Sequence, residues 1–517
     1  MVVQLDSWMD ELALVVIAAA LVLWVCYFRH FSYWTEKGAP QSRPWTPFGN
    51  CYKSILQKQM LSEDLDELYR RFRDKRYVGY YRGLEPRLLV IDPNLIRQIL
   101  VKDFDFFTDR EPVPLDDPIL EGQLFFMKGD RWRRLRNKLS PLFTSGKLKH
   151  TFQTLNECGS EMVEVLADAA REGKVLQFRE VFALYTTEVI ATLAFGVKLN
   201  CQRNPDCDFR MWGRILFQPR ARPFKEIATE IFTPPLKRYL DSIAPRNNAL
   251  QFFDNMVKET LHDRLENAIR RSDFMDLFIQ LHTKGFVEGE KQGGTDWKLS
   301  ENEVSAQAFL FYIAGFETSS TTMSFAAYEL AVNPDIQQRV LKEIDSVLAE
   351  SGEISYESLA KMKYLDRVLS ETLRKYPPVP TLTRQVQRPY RLPGADGEAE
   401  KGALLEPGVV VMVPAFSLHY DPTYFPEPHR FDPDRWTDEA KAALHPFVYM
   451  PFGEGPRFCI GMRLGLLQSK LGLVHLLSHY KVDVCSETDI PLPLDPMAAI
   501  LATKNGVHLK ITSRKAV

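Results

Sequence analysis

Residues 300 to 332 constrain the fold more than any other stretch. Ser300-Glu-Asn-Glu303 is a capping box, which opens a helix by satisfying its first free amides. The helical pattern then runs to Ala331 before Asn333-Pro334 stops it. About 32 residues make a helix roughly 48 Å long. Its middle, Ala306 to Phe316, is apolar nearly all round. Such a helix cannot lie on a surface and must cross the interior of one large core. Pro334 suits the first position of a following helix.

Around this rod the chain reads as mainly α with small β-sheets. Helical patterns dominate from about 94 to 380. Val78–Tyr81 and Leu88–Ile91 flank Gly83-Leu-Glu-Pro86, a hairpin signal. From about 385 to 435 Pro and Gly recur between short strands. A last helix starts just after Cys459, and Val507–Ile511 is β-like. With 65 Lys+Arg against 67 Asp+Glu, no overall basic excess exists to hold nucleic acid. The 45% apolar content excludes wholesale disorder. Seven Cys, odd in number and irregularly spaced, fit reduced thiols facing the cytosol rather than a disulfide scaffold or structural zinc.

Leu12 to Phe28 is 17 residues without a charge. As a helix it spans about 26 Å, near the ~27 Å core of the endoplasmic reticulum bilayer. Asp6, Asp10 and Glu11 precede it, and Arg29, Lys37 and Arg43 follow. The positive-inside rule then places the bulk of the chain on the cytoplasmic side of a single-pass anchor. A cleaved signal peptide fits less well, since the start is acidic and the run ends in bulky aromatics. Phe31, Tyr33 and Trp34 extend these as an interfacial belt. The expected organisation is an anchor over 1–34, a stiff Pro-containing linker over 35–50, and a catalytic domain over 51–517.

Phe452-Gly-Glu-Gly-Pro-Arg-Phe-Cys-Ile-Gly461 is the most informative chemistry. A Gly-rich loop leads into a helix, so Cys459 sits beside free amides and the positive end of a helix dipole. Both favour thiolate, and a thiolate on haem iron pushes electron density toward O–O cleavage. In this loop and in Ala306–Gln337, Phe447–Arg463 and Ser145–Lys149, the sequence resembles the haem-thiolate cytochrome P-450 monooxygenases. It is most similar to the microsomal insect family 6. The resemblance covers the whole chain and implies the cytochrome P-450 fold, one catalytic domain, and one haem b (iron protoporphyrin IX). That overrides the roughly three domains that length alone suggests.

The resemblance assigns further roles. Cys459 is the axial metal ligand, and Phe452 packs against the sulfur side of the ring. Ala314-Gly-Phe-Glu-Thr318 lies over the haem, where Gly315 permits close approach and Thr318 with Glu317 delivers protons. Taken alone, Thr318 reads as a helix threonine bonded back to the Ala314 carbonyl. Trp132 and Arg136, on one helix face, with Arg384 and Arg457, reach the propionates, which guanidinium forks match. Glu371 and Arg374 form a structural pair completed by an arginine expected at Arg430. Two departures are noted: the family's denser Pro-Pro-Gly-Pro hinge is spread over Pro40, Pro44 and Pro47, and Phe458 is bulkier than usual.

The implied activity is insertion of one oxygen atom from O2 into an apolar small molecule, with electrons from NADPH-cytochrome P-450 reductase and cytochrome b5 as a second donor. Xenobiotics such as plant toxins or insecticides are the expected substrates. Oxidation of an endogenous fatty acid or hormone precursor is the alternative. A peroxide-rearranging haem-thiolate protein is disfavoured by Glu317-Thr318, and a haem sensor or a haem-free membrane protein are the remaining rivals. Lys128 to Lys149 carries eight basic residues against Asp130. Arg134 and Lys138 there form an expected dock for the acidic flavin domain of the reductase.

Overall fold

The computed structural model describes residues 12–18, 30–111, 117–218, 220–233, 236–237, 239–240, 248–271, 273–287, 297–396 and 402–514. The helices that frame the site are α1 (Gly129–Leu139), α2 (Ser145–Glu172), α3 (Phe178–Ile190), α4 (Glu301–Val332), α5 (Pro334–Ser351), α6 (Lys363–Lys375) and α7 (Met462–His479). The capping box forms at the start of α4: the Ser300 amide donates to the Glu303 carboxylate at 2.9 Å, and the Glu303 amide donates back to Ser300 Oγ at 3.3 Å. Asn333 ends α4, and Pro334 occupies the first turn of α5. Several hydroxyls that α4 buries bond to its own backbone, Thr322 to the Thr318 carbonyl and Ser324 to the Ser320 carbonyl, whereas those of Ser305 and Thr321 have no partner among the described residues.

One hydrophobic cluster surrounds α4 and draws in α1, α2, α3 and α7. A second is built on a four-stranded sheet of β1 (Tyr77–Arg82), β2 (Glu85–Val90), β4 (Leu382–Gln385) and β5 (Val410–Val413). Its order is β1-β2-β5-β4, with β2 and β5 parallel and the other pairs antiparallel. The hairpin turns at Gly83, whose φ of +58° suits glycine. β3 (Val175–Gln177), β6 (Tyr480–Asp483) and β7 (His508–Ser513) form a smaller sheet with β7 central.

Of the expected anchor, residues 1–11 and 19–29 lie outside the described residues. Among the described residues no helix is long and apolar enough to cross a membrane. The segment that follows departs from its reading as belt and linker. Trp34 is fully buried and Phe31 nearly so. The Trp34 ring lies flat on Gly79 of β1, where a Cβ would come within 2.2 Å of it. Its indole donates to the Tyr80 carbonyl at 3.3 Å. Gln41 and Gly49 then bridge to Gly79 and Arg82, so residues 31–50 dock along β1. The physical reason is the missing side chain at Gly79, which opens a slot where a large aromatic gains more by burial than at a lipid interface.

Trp34→Ala is expected to cost about 3–5 kcal/mol of stability, the usual range for emptying a buried Trp site, measured as a fall in denaturation midpoint. A loss below about 0.5 kcal/mol, typical of surface positions, would show that the segment is detachable.

Candidate active site

The Cys459 loop is built by its glycines. Gly453 and Gly455 have φ of +71° and +72°, and Gly455 presses on the Leu100 carbonyl so closely that a Cβ would lie 1.9 Å from it. The Cys459 amide donates to the Phe452 carbonyl at 2.8 Å, which closes the loop just before α7 begins. α7 rests on the middle of α4, with Gln468 Nε2 donating to the Gly315 carbonyl at 3.4 Å. Cys459 is exposed, and so is Ala314 half-way along the mostly buried α4. Exposed residues at these two places mark open space within the fold. Although its side chain is exposed, the surrounding fold desolvates the sulfur and raises the Cys459 thiol above its ordinary pKa, while the Gly461 amide, Arg136 and Arg110 pull it down. The expected bias to thiolate is therefore outweighed by desolvation, and a metal cation at the sulfur reverses that balance.

Four guanidiniums gather beside this space. Arg457 donates to the carbonyls of Thr108 and Met127, both at 2.8 Å, and lies 4.0 Å over the Trp132 ring of α1. Arg110 donates to the Phe125 carbonyl at 2.9 Å and the Arg457 carbonyl at 3.1 Å. Arg384, on β4, donates to its neighbour Thr383, and its buried Nε has no partner among the described residues. Arg136 covers the Phe458 ring at 4.8 Å. The carboxylate paired within this group is Asp109, 3.4 Å from Arg457. Burial and mutual repulsion push Arg457 down to about 9 and Arg110 to about 10, and hold Arg384 well below its ordinary value. A guanidinium nonetheless keeps its charge. The cluster therefore holds unbalanced positive charge and an orphaned donor, which fit two carboxylates of an incoming group.

On α4, Thr318 Oγ1 donates to the Ala314 carbonyl at 2.7 Å, one turn back. Glu317 is buried and ion-paired with Arg179 of α3, so its carboxylate turns toward α3. Gly315 corrects the expectation of close approach by the cofactor. A Cβ there would meet Ile190 of α3 at 2.7 Å, so the missing side chain serves helix packing.

A family model described as Cytochrome P450 matches residues 40–511. The chain belongs to the cytochrome P450 family. Relatives include "Probable cytochrome P450 6a14" of Drosophila melanogaster, 39% identical over 95% of this chain and 98% of that protein. "Cytochrome P450 6k1" of Blattella germanica is 37% identical over 98% and 97%, and "Cytochrome P450 6A1" of Musca domestica 38% over 93% and 94%. P450s bind haem, iron protoporphyrin IX, and are monooxygenases that use a redox partner and apolar substrates. The thiol, the open space and the unbalanced guanidiniums of this P450 fit that cofactor with its two propionates.

This P450 locks the site from below. Glu371 and Arg374 of α6 are completely buried and joined by two hydrogen bonds of 2.8 Å. The arginine that completes the group is Arg435, 3.5 Å from Glu371, which corrects the expectation at Arg430. Arg430 is exposed, pairs with Glu427, and contributes only its carbonyl, 3.4 Å from Arg374. Trp436 and the Asp432 amide also donate to Glu371, each at 3.0 Å. His419 ties this lock to the Cys loop: one ring nitrogen meets the Arg374 carbonyl, the other accepts from the Met450 amide, both at 3.0 Å. Arg110 and Arg435 were the functional residues that sequence reasoning missed. Arg110 ends the aromatic run Phe104–Phe107 with no periodic signal, and Arg435 stands five residues after an arginine in a similar Pro-containing context.

Arg435→Ala is expected to destabilise the folded P450 by about 3–5 kcal/mol, because it leaves a buried carboxylate short of charge, whereas Arg430→Ala should change it by less than about 0.5 kcal/mol. Denaturant titration of both variants checks the order. Burial lowers His419 to about 3 from 6.5, so it is neutral in the fold. On acidification the unfolded chain takes up this proton first, so stability should fall from about pH 6.5 toward pH 3. His419→Gln should flatten that acid limb in pH-dependent unfolding.

Proposed function

We propose that this P450 oxidises apolar foreign compounds, with plant toxins or insecticides as the class, at the cytoplasmic face of the endoplasmic reticulum. The observation that carries the chemistry is the exposure of Cys459 and Ala314 beside four guanidiniums that, among the described residues, are paired with a single carboxylate. In this reading Cys459 holds the iron, and Phe452 closes the loop behind the sulfur. Trp132, Arg136, Arg384 and Arg457 hold the propionates, joined by Arg110. Bound there, the haem supplies oxygen activation, with one atom of O2 entering the substrate and the other leaving as water. Thr318 holds a hydroxyl proton at Oγ1 on the open side of α4, bonded to the Ala314 carbonyl. Glu317, paired with Arg179, carries charge between that helix and a partly exposed arginine, a route for protons from solvent. Substrates are selected by apolar walls, for which the exposed Phe125, Met211, Ile215 and Val379 are the candidates.

Electrons come, in this reading, from an NADPH-dependent reductase, with cytochrome b5 as a second donor. The basic stretch supports a narrower dock than the sequence suggests. Lys138 is held by the Gly285 and Trp297 carbonyls, and Arg131, Arg133 and Lys149 pair with Glu303, Asp105 and Glu357. Arg134, Lys128, Lys147 and Arg463 are exposed. The chain's partition between an anchor over 1–34, a linker over 35–50 and a catalytic domain from 51 stays part of the proposal, with the boundary moved ahead of Phe31 because Trp34 packs in the core.

Cys459→His is expected to retain haem yet lose the strongly red-shifted absorption band of the reduced carbon monoxide complex. Persistence of that band would assign the thiolate to another cysteine. Arg134→Glu should slow first-electron transfer from reductase and weaken its dependence on ionic strength, while peroxide-driven turnover persists. Stopped-flow reduction under carbon monoxide reads this, and an unaltered rate across salt concentrations would move the dock elsewhere.

A further inference from the structure

Gln307 is a completely buried amide side chain in the apolar first half of α4, whereas Asn302, the other amide there, is exposed. Its Nε2 donates to the Gly122 carbonyl at 2.7 Å, and its Oε1 accepts from the Leu124 amide at 2.9 Å. One side chain thus holds two backbone groups of the loop between Pro118–Glu121 and α1. Gly122 is pressed on the same helix, where a Cβ would lie 3.1 Å from the Ala306 methyl. Gln123, between the two pinned residues, is also fully buried, and neither atom of its amide has a partner among the described residues. An unpaired buried amide opposes this loop conformation, so the two bonds from Gln307 act against a standing cost. A second tie, Arg131 of α1 to Glu303 at 2.7 Å, lies one turn before Gln307.

The pinned loop carries what faces the site. The Phe125 carbonyl accepts from Arg110 and the Met127 carbonyl from Arg457, and the Phe125 ring, 42% exposed, stacks 4.0 Å from the Arg110 guanidinium. At 100° per residue, Ala314 and Thr318 each fall within about 20° of Gln307 on α4, one to either side. The loop is therefore fastened to the stripe that borders the open space, about 10 Å from Ala314. We propose that Gln307 is a positioning residue for substrate selection: by fixing the 122–127 loop it sets where Phe125 stands as a wall, and it does so without touching the reacting atoms. The proposal rests on the haem lying against Cys459.

Two haem-binding azoles separate wall from centre. Imidazole tests the iron alone, and 4-phenylimidazole adds an apolar tail that needs the wall. Gln307→Met keeps size and apolarity but loses the pin. It is expected to weaken 4-phenylimidazole about tenfold, the scale of one or two net hydrogen bonds, with imidazole within about twofold and the reduced carbon monoxide band intact. Equal loss for both probes, or no loss for either, would overturn the positioning role. Failure of the haem assignment is distinct, since the wild-type protein would then bind neither azole spectrally.

Gln307→Glu adds a signature that simple loosening lacks. Its protonated carboxyl reproduces both bonds, whereas the ionised form faces the Gly122 carbonyl. The variant's 4-phenylimidazole affinity, as a ratio to wild type at each pH, should therefore fall as pH rises, and a flat ratio counts against the pin. Should Gln307→Met not fold, hydrogen exchange of the wild-type Leu124 amide decides: protection like that of α4 is expected, and exchange as fast as an open loop sinks the proposal.

Discussion

A helix that is apolar on every side must be covered on every side, and the rest of this fold answers to that requirement around α4. α3 approaches closely enough to need Gly315 opposite Ile190, and α7 lies across the middle through Gln468 and Gly465. The loop before α1 closes the first turns through Gln307. In the middle of the rod the cover is interrupted at Ala314.

Charge inside such a core is tolerated under two different regimes. At Glu371 every acceptor is used: Arg374, Arg435, Trp436 and the Asp432 amide converge on one carboxylate. The set is closed, and its value is mechanical, because Arg374 also holds the His419 carbonyl at 2.9 Å and His419 holds the Cys loop. At Arg110, Arg384 and Arg457 the opposite holds. Their carbonyl partners fix direction but supply no full negative charge, and Arg384 keeps an unused donor. A closed set builds the frame, and an open set recruits a ligand.

The parts of this arrangement legible in sequence were those written in local chemistry. Ser300 and Glu303, Pro334, the Gly83 hairpin and the Cys459 loop each carry their signal within a few residues. Glu371 and Arg374 are also neighbours on a helix. Arg435 was misplaced at Arg430 because both arginines follow proline-containing turns, and which one enters the core depends on the chain path after α6, which no local pattern encodes. Gly315 was read as an opening toward the cofactor, since a glycine in a helix announces close approach but not by what. Trp34 was read as interfacial because its slot lies at Gly79, forty-five residues away.

These misses share a cause that bears on how the site works. Each concerns a residue whose role is set by a partner distant in sequence: Arg110 by Phe125 and Arg457, Glu317 by Arg179, Gln307 by Gly122 and Leu124. The ligand loop itself, by contrast, is held by short-range bonds and glycine conformations. Chemistry at Cys459 is thus encoded locally, while the shape of the space above it is encoded by long-range ties. A change in one of those ties can alter which molecules fit without touching the loop that carries Cys459.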